Sequence, residues 1–404
     1  MTASLPLFAA VPLAARDPIL GLNDAFQADT HPKKVNLSIG VYYDGAGKIP
    51  VLSCVQKAMQ TLMGQNAPRI YQPIDGPAAY TQAVQRLLLG ADHPAIREGR
   101  AVTAQTLGGT GALKVGFDLL SYISPNVKAW VSRPTWDNHC ALLEGAGFPV
   151  DTYGYYDAAT GGFNLADMLR DLNRAQPGDI VILHACCHNP TGVDPTAEEW
   201  TQIIETIEQR QLVPFLDIAY QGFGSGLQED SEIIRRFAER HLPVFIASSF
   251  SKSFSLYGER VGALTVLTAN PDEAKRVLSQ VKRAIRANYS NPPIFGAALV
   301  STVLNQPELR ALWEEELTGM RDRIREMRLM LRERLSAQAP GRNYDYIVKQ
   351  RGMFSYSGLN AAQAQALREN GSIYIVESGR ICVAGLNANN VDYVAEAMAA
   401  VQKS

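Results

Sequence analysis

No stretch of this sequence approaches the ~20 consecutive apolar residues needed to span a bilayer, so a membrane-embedded role is not expected. An excess of one charge is also missing: 38 Lys and Arg stand against 40 Asp and Glu, for a formal net charge of −2. That balance gives neither nucleic acid nor an anionic membrane surface an electrostatic reason to bind. Cysteine is sparse and odd in number, five among 404 residues, with no framework spacing. A disulfide scaffold is therefore not expected, and reduced thiols in a cytoplasm are. Internal repeats and low-complexity linkers are missing too. Residues 5–15 are apolar, yet they lack a basic leader and are interrupted by Pro6 and Pro12. They read as a tail or a subunit-crossing arm rather than a cleaved signal.

What is present is the balance of a globular protein with a full core, 46% hydrophobic and 19% charged. A chain of 404 residues predicts two domains, or one large and one small. From about residue 100 to 265, short apolar runs (180–183, 213–216, 244–247) alternate with amphipathic stretches such as 196–210 and 230–240. This alternation predicts an α/β fold with a mostly parallel sheet covered on both faces. Asp194-Pro195 followed by Thr196 and Glu199 reads as a helix start with a capping box. Near residue 306 the texture changes. Leu309, Trp313, Met320, Ile324, Met327, Leu331 and Leu335 recur at helical spacing, in one long helix or in two broken at Gly319. Alternating runs at 346–356 and 373–383 then predict a small antiparallel sheet, a smaller α+β piece that the N-terminal segment can join.

The chemistry gathers at predicted strand ends. The run 244–247 feeds into Ser248-Ser249-Phe250-Ser251-Lys252-Ser253-Phe254. In open α/β sheets, ligands bind beyond the carboxyl ends of the strands. Hydroxyls there can hold a phosphate, and a lysine can form a Schiff base. Alone, Lys252 reads more simply as a surface lysine after a strand. Other strand ends change that weighing. Residues 213–216 end in Asp217, with Tyr220 three positions on. A strand-end Asp is often just a turn former, but a pyridine cofactor needs a carboxylate on its ring nitrogen. A tyrosine nearby can bond the phenolic oxygen of such a ring. Residues 180–183 lead to His188-Asn189-Pro190-Thr191-Gly192, a tight loop that can aim Asn189 at the same oxygen.

Gly108-Gly109-Thr110-Gly111 follows a short strand and opens a helix, where free N–H groups can meet a phosphate. It completes neither the dinucleotide fingerprint nor a phosphate-binding loop with Gly-Lys-Ser/Thr. His184, Cys186, Cys187 and His188 imitate a metal site. Adjacent cysteines on a strand point to opposite faces, and no second pair stands at zinc spacing, so a buried strand end is expected and no metal.

With these residues in hand, the sequence resembles the class I (fold-type I) aminotransferases. The similarity is greatest to the bacterial aromatic amino acid aminotransferases, which sit beside the aspartate aminotransferases. The resemblance runs along essentially the whole chain. It includes Asp17-Pro18-Ile19-Leu20-Gly21-Leu22, Val35 to Tyr42, Gln105 to Leu113, Pro134-Thr135-Trp136-Asp137-Asn138-His139 and Cys186 to Gly192. It continues through Asp217 to Gly224, Ser251 to Gly262, Arg286 to Pro293, Arg351 to Tyr356 and Ser378 to Leu386.

The resemblance implies a pyridoxal 5'-phosphate cofactor and a homodimer with shared active sites, acting on amino acids and 2-oxo acids. It implies a large cofactor-binding domain over 47–319, a small domain from 15–46 with 320–404, and an arm over 1–14 that reaches the partner. Lys252 would carry the cofactor as a Schiff base and shuttle the substrate α-proton. Asp217 would pair with the pyridinium nitrogen, backed by His139. Trp136 would stack on the ring, and Asn189 and Tyr220 would bond its phenolic oxygen. Gly109, Thr110, Ser249, Ser251 and Arg260 would hold the phosphate, joined by the partner subunit's Tyr71. Arg380 would fork onto the substrate α-carboxylate, helped by Asn189, Trp136 and the Gly40 backbone. Arg286 of the partner subunit would meet the distal carboxylate of a dicarboxylic substrate. Gly108 stands where many aspartate-type members carry serine, and Gly-Gly at 108–109 is typical of the aromatic type. The expected reaction is ping-pong transamination of Tyr and Phe, with Trp also considered, against 2-oxoglutarate, with aspartate also accepted. The alternatives are an aspartate aminotransferase with little aromatic activity, a β-elimination or decarboxylation on the same scaffold, and a cofactor-binding regulator.

Overall fold

The structure, a computed structural model, describes residues 8–14, 17, 19–240 and 242–403. Part of the expected arm, residues 1–7, lies outside the described residues. Phe8, Val11 and Leu13 within it are exposed apolar side chains.

A seven-stranded sheet organises the chain. Its strands are β1 (Ala101–Leu107), β2 (Ala129–Arg133), β3 (Val150–Gly154), β4 (Ile180–His184), β5 (Val213–Ile218), β6 (Val244–Ser249) and β7 (Val261–Leu267). They lie in the order β1-β7-β6-β5-β4-β2-β3, and only β7 runs against the rest. The predicted runs are the central strands, and they are apolar throughout because both faces are covered. Alternate residues serve opposite faces: Phe215 and Phe245 pack with Phe117, Val281 and Ile285, while Leu216 and Ile246 join the core of Tyr80, Trp200, Ile203 and Trp313. The first group lies under helices Gly108–Ile123 and Pro271–Asn288. The predicted capping box is in place: Thr196 Oγ1 accepts from the Glu199 amide, Glu199 accepts from the Thr196 amide, and the helix runs Ala197–Gln209.

The long helix is a single element, Pro307–Gln338, without a break at Gly319. A Cβ at Gly319 would meet nothing, so the residue lies on an open face and costs only about 1 kcal/mol of helix propensity. The expected antiparallel sheet needs correction. Tyr346–Lys349 is a helical turn, and the strand is only Phe354–Tyr356, which pairs antiparallel with Arg380–Cys382. Ile373–Tyr374 instead pairs parallel with Val35–Asn36 from the N-terminal segment. Leu37 bridges the two ribbons, donating its amide to Tyr374 O and accepting from the Cys382 amide. Among the described residues no helix is long and apolar enough to cross a membrane.

One buried cation shapes this end of the chain. Arg328, on the long helix, is 2% exposed and donates to Ile347 O, Gly352 O, Phe354 O and Ser355 Oγ. Burial pulls its guanidinium down to about 10, so it remains a cation. A buried carbonyl stripped of its donor costs roughly 1–3 kcal/mol. Arg328→Met is therefore expected to lower the free energy of denaturant unfolding by about 3 kcal/mol. The exposed control Arg276→Met should stay within about 0.5 kcal/mol of the parent.

Candidate active site

The loops that follow β1, β4, β5 and β6 leave the sheet at its carboxyl edge and meet over one cavity of about 370 Å³. That size suits a cofactor or a small substrate. The cavity is lined by Lys252, Asp217, Tyr220, Asn189, Trp136, Gly109, Thr110, Ser249, Ser251, Arg260, Gly40 and Arg380. Twelve of the fifteen predicted residues therefore come together from positions as far apart as 40 and 380.

Asp217 is the penultimate residue of β5 and is buried. Burial raises a carboxyl, but the hydrogen bond from His139, with the positive charge of Lys252, outweighs it and leaves Asp217 below the ordinary carboxylate value. His139 Nε2 lies 3.0 Å from Asp217 Oδ2, and Thr135 Oγ1 lies 2.9 Å from His139 Nδ1. An ionised carboxylate only accepts, so the His139 proton sits on Nε2 and Nδ1 accepts from the threonine hydroxyl. His139 thus stands behind Asp217 rather than in the cavity wall. Lys252 lies 5.0 Å above the Tyr220 ring. Burial pulls its ammonium down from 10.5 to about 8, with Arg260 adding to the fall and Asp217 opposing it. The Tyr220 phenol is pushed up by burial against the opposing charge of Arg380, so it stays protonated and able to donate.

At one end of the cavity stands an anion cradle. Helix Gly108–Ile123 begins there with no side chain capping its first amides, and it places Gly109 and Thr110 at the cavity wall. Arg260 Nη1 donates to Ser251 Oγ and Tyr257 O, both at 3.1 Å. Gly108 has φ +68°, and a Cβ there would sit 2.5 Å from Arg260 Nη2. Glycine at 108 takes the positive φ without strain and leaves the guanidinium room to lie against the helix start.

At the other end Arg380 is 4% exposed. Its Nη2 donates to Ser38 O at 2.6 Å and its Nη1 to Asn189 Oδ1 at 3.3 Å. Its Nε is buried and has no partner among the described residues. A buried donor without an acceptor is costly unless a ligand supplies one. The donor set fits a phosphorylated pyridine aldehyde well: an amine of depressed pKa, an ionised carboxylate, a protonated phenol, and a hydroxyl-and-amide cradle with a guanidinium. Arg380 is left over, and suits a second anion.

Two predicted residues stay apart from this cavity. Tyr71 is 89% exposed beside Arg69, Ile70 and the segment 291–295. Arg286, at the end of its helix, is exposed and donates to Ser290 Oγ. Sequence reasoning assigns no role in this cavity to four further lining residues, Tyr257, Ile39, Phe354 and His184, although the first three lie within stretches that carry the family resemblance. His184 had been grouped with the cysteines, but its ring lies 5.2 Å from that of His139 and 4.4 Å from that of His188. Among the described residues neither of its ring nitrogens has a partner, and burial takes it down to about 3, so it is a neutral imidazole beside Asp217. Cys186 and Cys187 instead gather with Asp230, whose oxygens accept the amides of Gly222, Gly224 and Ser225.

Known proteins share this arrangement of the chain. The family model described as "Aminotransferase class I and II" matches residues 32–398. An aspartate aminotransferase of Pseudomonas aeruginosa is 55% identical over 98% of this chain and 100% of its own length. An aromatic-amino-acid aminotransferase of Escherichia coli is 51% identical over the same shares, 98% and 100%. Among solved structures, the aromatic-amino-acid aminotransferase of Burkholderia pseudomallei, covalently bound to pyridoxal phosphate, is 59% identical. It superimposes with a TM-score of 0.96 over 98% of this chain and 100% of that one.

The buried lysine makes a measurable expectation. In the cofactor-free protein, the rate at which an amine-acylating reagent modifies Lys252 should rise with pH through a midpoint near 8 instead of 10.5. The reason is that only the neutral amine reacts, and burial favours that form. Peptide mapping of the modified lysine across pH checks this; a midpoint at the ordinary lysine value would mean a hydrated amine.

Proposed function

Since the chain belongs to the class I and II aminotransferase family, whose enzymes depend on pyridoxal phosphate, we propose that it transfers amino groups between aromatic amino acids and 2-oxoglutarate and also accepts aspartate. The convergence of Lys252, Asp217 and Arg380 on one cavity carries this reading, because it joins an amine, an ionised carboxylate and a carboxylate reader. The names of the relatives support both substrate classes. A second reading, an aspartate aminotransferase with little aromatic activity, is favoured by the 55% identity to the Pseudomonas aeruginosa aspartate aminotransferase.

When bound, the cofactor supplies an electron sink conjugated to the substrate α-carbon. Asp217, kept ionised by His139, holds the proton on the pyridine nitrogen that makes the sink effective. Tyr220 Oη and Asn189 Nδ2 donate to the phenolic oxygen; Asn189 has already turned its Oδ1 towards Arg380. Gly109, Thr110, Ser249, Ser251 and Arg260 hold the phosphate. Arg380, through its unpartnered Nε, takes the α-carboxylate and so fixes which substituent of the α-carbon faces the ring system. Gly40 admits that carboxylate closely, and Trp136 covers the ring. Lys252 Nζ, half-deprotonated near pH 8, would take the α-proton and hold it within reach of the neighbouring carbon. In this reading the site is completed by the partner subunit's Tyr71 at the phosphate and by Arg286 of the partner subunit at a distal carboxylate. The exposure of Tyr71 in one chain supports a homodimer. The lobe formed by 15–46 with 320–404 would close over the lobe formed by 47–319. The unpaired thiols suit a cytoplasm.

Steady-state kinetics with 2-oxoglutarate against tyrosine, phenylalanine and aspartate test the substrate class. Comparable kcat/KM on phenylalanine and aspartate is expected; a deficit of about a thousandfold on phenylalanine would favour the second reading, a difference of roughly 4 kcal/mol in transition-state binding. Arg286→Leu should reduce kcat/KM for aspartate by at least about a hundredfold, the loss of one charged pair, while phenylalanine falls by less than about tenfold. Equal losses on both would sink the role given to Arg286.

A further inference from the structure

Among the described residues Arg380 has no carboxylate partner, and two acceptors meet its rim. What meets its face is an aromatic ring. The guanidinium carbon lies 4.3 Å from the centroid of Phe354. We propose that Phe354 is a positioning residue for the transamination site: its ring face carries the Arg380 guanidinium and keeps the unpartnered Nε available to the substrate carboxylate. This rests on the reading of Arg380 as the carboxylate reader.

The placement follows from strand register. Phe354–Tyr356 pairs antiparallel with Arg380–Cys382, with Tyr356 opposite Arg380. Phe354 is therefore the diagonal neighbour of Arg380 on the same face of the ribbon, within reach for an aromatic side chain. The ring cannot drift. Its Cζ would lie 2.7 Å from a Cβ at Gly40, so only glycine at 40 makes room for it. The Tyr220 ring meets it edge-on, with centroids 5.7 Å apart at 81°. Its carbonyl is tied down by Arg328 Nη2.

The chemistry explains why a ring suits this place. Burial disfavours the charged form of Arg380. The electron-rich face of an aromatic ring offsets that desolvation without occupying any rim N–H, and the effect is largest where water is excluded. An aliphatic side chain would fill the space and give no such compensation. An acidic one would pair with Arg380 and compete with substrate. Because every amino acid and 2-oxo acid presents the same α-carboxylate, loss of the ring should weaken all of them alike.

The test uses the holoenzyme and phenylpropanoate, which carries the carboxylate and has no amino group to react. Its affinity is measured by calorimetry for the parent, Phe354→Leu, Arg380→Lys, and proteins in which Phe354 is replaced by ring-fluorinated phenylalanines that keep the Cζ hydrogen facing Gly40. Fluorination drains the ring face while leaving its shape nearly unchanged, so a role in packing alone would not respond to it. The expected result is a graded loss of affinity along the fluorinated series, reaching about tenfold and matched by Phe354→Leu. KM should rise for phenylalanine and aspartate by the same factor, with kcat changed less. Unchanged affinity across the fluorinated series, with loss in Arg380→Lys, overturns the assignment of Phe354 alone. Unchanged affinity in Arg380→Lys overturns the reading of Arg380 and this inference with it.

Discussion

Asp217 carries a negative charge inside the protein, and the surrounding structure is arranged to keep it there. Burial by itself would raise its pKa. The imidazole of His139, whose proton is fixed on Nε2 by a bond from Thr135 to Nδ1, reverses that tendency. The charge in turn restrains the fall of the Lys252 pKa in the turn after the neighbouring strand. Electrostatics of this kind is strong only where water is excluded. The apolar strands β4 to β6, covered by helices on both faces, provide that exclusion and place the three loop starts side by side.

The opposite wall depends on chain segments far from the sheet. Arg380 is bonded to Ser38, 342 positions away in sequence, and to Asn189 on the loop after β4. The short ribbon that presents Arg380 has few backbone bonds of its own. Arg328 compensates from the long helix, spending its donors on carbonyls and a hydroxyl of the neighbouring segment. A cation buried against backbone dipoles rather than a carboxylate fixes geometry without neutralising the charges near the cavity. The anion cradle has an equally local accommodation, glycine at 108, where a Cβ would crowd the Arg260 guanidinium as it lies here.

The aminotransferase reading gives these two walls complementary tasks. The sheet side tunes protons, at Asp217, Tyr220 and Lys252. The ribbon side orients the carboxylate common to all amino acids. Discrimination among substrate side chains then falls to whatever meets the far end of the substrate, where the proposal places Arg286 of the partner subunit.

Sequence alone determined the central strands, the capping box at Thr196 and Glu199, the long amphipathic helix and most of the site, because these are local patterns: apolar runs, helical spacing, and polar residues placed just after strands. Lys252, Asp217, Tyr220 and Asn189 were legible from their positions at strand ends, and the family resemblance supplied Arg380. The antiparallel sheet expected over 346–356 was misread because a short apolar run does not distinguish a helical turn from a strand, and Tyr346–Lys349 is the former. Tertiary structure alone decided that Ile373–Tyr374 pairs with the N-terminal segment, that His184 faces Asp217 while the cysteines turn to Asp230, and that Phe354 lies beneath Arg380. An apolar ring in a short strand looks like core in any sequence. It takes on a role only when register and packing set a cation against its face, and those are contacts between residues the chain itself keeps far apart.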